Sequence, residues 1–190
     1  MPRETLLLFG GVVGVLVIAS IISAILGRRG ESPVLTNLRQ RTNTWWVMSA
    51  IFAVAAFIGP IGSMLLFALI SFMALREFIT LTPTRRGDHC ALFWVFFVAP
   101  PLHYYFVATN NYGMFTILIP IYAFLFIPAR IALSGDSECF LERAAKIQWG
   151  LMVCVYCVSH APAILTLNIP GYEGKNSALL LFFMIVTQLN

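Results

Sequence analysis

The chain has 190 residues, of which 59% are hydrophobic and only 11% charged, and it carries a formal net charge of +4. A soluble domain would carry roughly a quarter charged residues, so a water-soluble globular fold is excluded. The surplus of Lys and Arg is no nucleic-acid footprint, because no basic stripe interleaves with exposed aromatics; it fits a membrane protein oriented by positive charge.

Apolar runs predict seven spans in an all-α, polytopic transmembrane bundle: Thr5–Leu26, Trp45–Gly59, Ile61–Leu81, Ala91–Ala108, Met114–Leu133, Ile147–Leu167 and Ser177 onward. The first, 22 uncharged residues, reaches roughly 33 Å as a helix, enough for a ~30 Å hydrocarbon core. It exceeds a signal-peptide core and runs into "GRRGE" where a small-residue cleavage site should be, so it reads as a retained helix. Its Gly10/Gly14 and Ser20/Ala24 pairs have the small-x-x-x-small spacing that lets helices approach closely.

Trp45–Leu75 is free of charge and interrupted only by Gly59-Pro60. It reads as one kinked helix or as a hairpin. With a hairpin and the N-terminus outside, the inner loops hold Arg28, Arg29, Arg39, Arg41, Arg76, Arg85, Arg86, Arg130, Arg143 and Lys146, and the outer side only Arg3 and Lys175. A single helix would leave seven basic residues on the outside. The positive-inside rule therefore selects the hairpin, and Gly-Pro suits its turn.

Pro100-Pro101 should kink or break the fourth span, since neither residue has an amide donor. "TNNYG" (109–113) reads as an outer turn and "NIPGYEGKN" (168–176) as an outer loop. "SGDSECFLERAAK" (134–146) reads as an inner connection that begins a helix, with Asp136 or Ser137 as cap and Glu142 four residues before Lys146. Cys154-x-x-Cys157 sits inside an apolar run and reads as buried thiol. No repeat or linker divides the chain, so one transmembrane domain over 1–190 is expected.

The last span would reach only about 21 Å by Asn190. A terminal carboxylate inside the bilayer costs on the order of 3 kcal/mol, so the sequence is expected to be the N-terminal part of a longer protein.

The eight acids lie outside the span cores, and no Walker loop, His-Glu-x-x-His or helical carboxylate pair is present. Four features remain as substrate-binding candidates. Arg39 and Arg41 precede a span in "LRQRTNTWW"; they read as interfacial anchors or as partners of a phosphate. Arg76 and Glu77 end the third span, where snorkelling competes with a site role. His160, alone in its span, reads first as a helix–helix hydrogen-bonding residue. Thr187, Gln188 and Asn190 are either inter-helix polar contacts or the rim of a polar cavity.

These stretches resemble the CDP-diglyceride synthetase (phosphatidate cytidylyltransferase) family, in a branch with an extra leading helix. "LRQRTNTWW" resembles the start of the family's first common span. "FIGPIGSMLLFALISFMALREFITL" resembles its hairpin, and "VSHAPAILTL" and "LLLFFMIVTQLN" its later spans. The resemblance implies condensation of CTP with phosphatidic acid to CDP-diacylglycerol and pyrophosphate. It implies Mg²⁺ held mostly by downstream acids, catalytic residues beyond Asn190, and a site facing the cytoplasm of a bacterial inner membrane. Membrane lipids are the implied surroundings, and a homodimer is admitted. The competing expectations are another lipid-phosphate enzyme, or a non-enzymatic transporter or scaffold complete in itself.

Overall fold

A computed structural model describes residues 3–27, 33–136, 138–171 and 174–189. Among them no strand occurs. The helices are α1 (Arg3–Gly27), α2 (Pro33–Ile58), α3 (Pro60–Thr80), α4 (His89–Phe97), α5 (Ala99–Ala108), α6 (Tyr112–Ile117), α7 (Phe124–Ala132), α8 (Phe140–Leu151), α9 (Val158–Ala163) and α10 (Asn176–Leu189). One-turn π-helical segments, Leu118–Ala123 and Met152–Cys157, join α6 to α7 and α8 to α9. All seven predicted spans are thus helical, and five helical stretches among the described residues are long and apolar enough to cross a membrane. α2 is the longer but less apolar exception, and α10 has only 14 residues. The chain packs as two compact units, residues 1–62 with 168–190, and residues 63–167.

The long uncharged stretch is interrupted at the predicted place. α2 ends at Ile58, and Gly59 adopts φ 95°, a conformation that favours glycine. Its N–H donates to the Ala56 carbonyl at 3.2 Å. Gly62 is equally constrained: a Cβ there would lie 2.6 Å from the Ala55 carbonyl oxygen and from Ile58 Cβ.

In the first unit α1 packs on α2 and α10. Trp46 Nε1 donates to Ser20 Oγ at 3.1 Å, and the Ser20 hydroxyl donates to the Leu16 carbonyl at 2.7 Å. Of the two small-residue pairs only the one containing Ser20 is used in this way. A Cβ on Gly10 or Gly14 would meet nothing within 4 Å, so the expected close approach at that pair is not made. The buried side chains of α1 and α2 are instead Leu16, Ser23, Thr42 and Ala55.

The second unit has the deeper core: Leu75, Val95, Ile119, Ile127, Ile131, Ile147, Leu151 and Val155 are almost fully buried. Gly150 admits Phe78 so closely that a Cβ would sit 2.6 Å from its ring. The fourth span is interrupted at Val98, in line with the expected kink or break. α4 ends at Phe97, and Pro100 and Pro101 open α5, where missing amide donors cost least. At the other end of α5, Asn110 takes φ 55°, and Asn111 Oδ1 caps α6 by accepting from the Met114 N–H at 3.3 Å.

Pro128 lies inside α7 and denies the Phe124 carbonyl its helical donor. Gln148 of α8 supplies the replacement: its Nε2 donates to that oxygen at 2.7 Å. An orphaned carbonyl in lipid is costly, so this bond ties two spans together. Gln148→Leu is expected to destabilise the protein by about 1 kcal/mol. In a Pro128→Ala background, where a restored backbone N–H can serve the Phe124 carbonyl, the loss should largely vanish. A double-mutant cycle by unfolding in detergent micelles checks this, and additive losses would refute it.

Candidate functional site

The strongest polar constellation lies where the α3–α4 loop meets the α7–α8 loop. Asp88 is fully buried and Arg143 only 5% exposed. Arg143 Nε donates to both Asp88 carboxylate oxygens, at 3.0 and 3.1 Å, and Nη2 donates to Oδ1 at 2.6 Å. Nη1 reaches the other loop, donating to the carbonyls of Glu138 at 2.9 Å and Asp136 at 3.3 Å and pairing with Asp136 Oδ2 at 2.9 Å. The Arg85 N–H donates to Asp88 Oδ2 at 3.0 Å. Gly87 makes room for the fork: a Cβ there would fall 2.9 Å from Ser134 Oγ and 3.3 Å from Arg143 Nη2.

At the rim, Arg85 donates to Glu138 at 2.5 Å and lies 3.7 Å from Asp136. Hydrogen bonding from Arg85, then its charge, holds the Glu138 carboxyl below its ordinary range. The contact therefore persists at neutral pH and is released only as pH falls through that lowered value. Both side chains are exposed, so solvent screens the pair.

Residue 137 lies outside the described residues, and Asp136 does not cap α8 with its side chain. Its Oδ1 accepts from the Glu138 N–H at 3.2 Å, while Cys139, at φ 50°, precedes the helix. The Glu142–Lys146 pair forms at 2.5 Å.

The predicted site residues are distributed over both units. In the first, Arg39 and Arg41 are exposed on α2. The Arg39 guanidinium lies over the C-terminal end of α1, with Nη2 3.4 Å from where a Gly27 Cβ would stand; a cation complements the dipole there. Arg41 opens onto an apolar groove. Thr187 bonds back to its own helix, to the carbonyls of Phe183 and Met184. The Gln188 side chain and Asn190 lie outside the described residues.

In the second unit Arg76 and Glu77 are exposed at the end of α3, and neither is in an ion pair among the described residues. His160 also departs from its expected role. Its Nδ1 bonds the Tyr156 carbonyl of the preceding turn at 2.7 Å, and its ring packs on Phe115 at 4.8 Å. The histidine that hydrogen-bonds between helices is His103 of α5, fully buried, with Nε2 2.8 Å from Ser159 Oγ. Ser159 gives its one proton to the Tyr156 carbonyl at 2.7 Å, so it accepts from His103. That fixes the Nε2–H tautomer and leaves the buried Nδ1 unpartnered. Cys154 is buried as expected, whereas Cys157 of the same pair is exposed.

Among the described residues no group of three or more His, Cys, Asp or Glu side chains is placed to hold a metal. Asp88, Asp136 and Glu138 are engaged by Arg143 and Arg85. These residues do not fit a divalent cation.

Membrane-length helices closed by a buried arginine–carboxylate knot define an α-helical integral membrane protein. The cytidylyltransferase family pattern matches residues 39–190, and the chain belongs to that family. α1 precedes the matched segment. Of curated proteins, the "Uncharacterized protein YnbB" of Escherichia coli (strain K12) is 30% identical over 175 residues, 92% of this chain and 56% of YnbB. The chain thus spans about half the length of this relative. No solved structure matches this chain.

The knot's contribution is measurable. Arg143→Met or Asp88→Leu alone should cost about 3–5 kcal/mol by stranding a buried charge, whereas the double variant should be markedly more stable than either. Chemical unfolding of the three variants tests this; a double variant as unstable as the sum of the singles would contradict it.

Proposed function

We propose that the protein to which this chain belongs is a phosphatidate cytidylyltransferase. The single supporting observation is the family match over residues 39–190; neither the nucleotide nor the lipid has an assigned place among these helices. In the proposed reaction a phosphatidate oxygen attacks the α-phosphorus of CTP. The new P–O bond gives CDP-diacylglycerol, and pyrophosphate leaves. Such transfer depends on positioning and on charge neutralisation. Mg²⁺ is part of the proposal for the whole protein, with ligands other than the carboxylates described above.

For this segment the reading assigns phosphate-facing work to arginines that no carboxylate has claimed. Arg76 is the leading candidate, because it is exposed at a span end without an ion-pair partner among the described residues. Glu77, beside it, would orient it or exclude a wrongly placed phosphate. His160, hydrogen-bonded to its own helix, is not assigned a role in the transfer. The reading places Arg76 and the Asp88–Arg143 loops on the cytoplasmic side, the side selected by the positive-inside count.

Membranes containing the full protein should convert labelled CTP and phosphatidic acid to CDP-diacylglycerol, with dependence on both substrates. Failure to label lipid would sink the proposal. Arg76→Gln should lower kcat/KM roughly tenfold, the weight of one charge-assisted hydrogen bond. For orientation, a variant retaining only Cys139, an exposed loop thiol, should react with an impermeant reagent only after the membrane is opened. A second variant carrying only Ile61→Cys, at a largely exposed position, should react without opening. Reversed or identical accessibility would overturn the orientation.

A further inference from the structure

The first unit contains a groove of about 590 Å³. Its walls include Gly11, Val15 and Ala19 of α1, Arg41 and Trp45 of α2, and Ile185 of α10. The walls are apolar except for Arg41 and Thr42, and Thr42 donates its hydroxyl to the Leu38 carbonyl at 2.8 Å. Arg41 is therefore the single charge on the groove, and no carboxylate faces it among the described residues. Nothing lies within 4 Å of a Cβ placed on Gly11, so the space along α1 is open. Trp46, bonded to Ser20, fixes α1 against α2 beside it.

An apolar slot bearing one guanidinium is complementary to an amphiphile with a chain and an anionic head. A helix from a second copy fits less well. The chain's eight acids lie outside the apolar cores of the spans, so such a helix would cover Arg41 without pairing it. We propose that this groove holds one anionic phospholipid taken from the bilayer, its acyl chain along α1 and its phosphate on Arg41. The α1 wall precedes the family-matched residues 39–190, and the proposal does not depend on the cytidylyltransferase reading.

The test uses the full protein extracted in mild detergent. It is equilibrated with phosphatidylglycerol or with phosphatidylcholine of the same acyl chains, and retained lipid is counted by native mass spectrometry. Wild type should retain one phosphatidylglycerol about five-fold more readily than phosphatidylcholine, the weight of one Arg at an anionic surface. Arg41→Gln should lose that preference and Arg41→Lys keep it. Gly11→Leu, which fills the groove without touching the charge, should lower retention of both lipids. Equal retention by wild type, a preference surviving in Arg41→Gln, retention unchanged in Gly11→Leu, or a lipid-free dimer would each overturn the proposal.

Discussion

The second unit depends on one buried ion pair. Asp88 has no exposed surface, and Arg143 is the cation that makes its burial tolerable. The pair survives because its hydrogen bonds are nearly complete: two Arg143 nitrogens serve Asp88, the third serves loop carbonyls, and Asp88 also takes the Arg85 N–H. In lipid the hydrophobic effect does little to choose one helix–helix register over another. A directional polar knot at the span ends can. This one joins the entry to α4 with the entry to α8, and Ile131 and Ile147 are almost completely buried nearby in the chain.

The same constraint explains what could be read in advance. Local signals carried through: uncharged runs became helices, Gly59 and the Pro100-Pro101 pair marked real interruptions, and Glu142 found Lys146 one turn away. Long-range pairing did not. Asp88 and Arg143 are 55 residues apart, and in a single sequence they read as loop charges on one side of the membrane. Of the two expected caps, Asp136 or Ser137, Asp136 does not serve, because α8 begins only at Phe140 with Cys139 before it, and the Asp136 carboxylate takes the Glu138 N–H and Arg143 instead. His160 stood out because it lies in a long apolar run, yet it bonds its own helix. His103, followed by two tyrosines, holds the inter-helix bond. Ser159 could have hinted at this as a small hydroxyl beside His160, but nothing in the sequence paired it with a helix 56 residues earlier.

Backbone irregularity in the fifth and sixth spans follows one rule. Each interruption of the helical ladder leaves a carbonyl that lipid cannot solvate, and another group must answer it. Gln148 answers the gap made by Pro128. The Ser159 hydroxyl and the His160 ring both use the Tyr156 carbonyl, within a π-helical turn. π-helical turns recur at functional positions in proteins, and here two of them lie in neighbouring, packed spans. Tyr156 of the second turn, with Phe115 and His103, forms an aromatic and imidazole layer rather than a charged one.

The arginines divide into two kinds, and the division bears on chemistry. Arg143 and Arg85 are held by carboxylates, and a phosphate would have to compete with those partners. Arg39 rests over a helix end, Arg41 over a groove, and Arg76 stands exposed, so each can accept a phosphate without first breaking an ion pair. Phosphoryl chemistry needs cations of this second kind. It also needs carboxylates free to bind metal, and Asp88, Asp136 and Glu138 are already engaged. Among the described residues Arg39, Arg41 and Arg76 thus stand outside the ion pairs, while Asp88, Asp136 and Glu138 serve the scaffold.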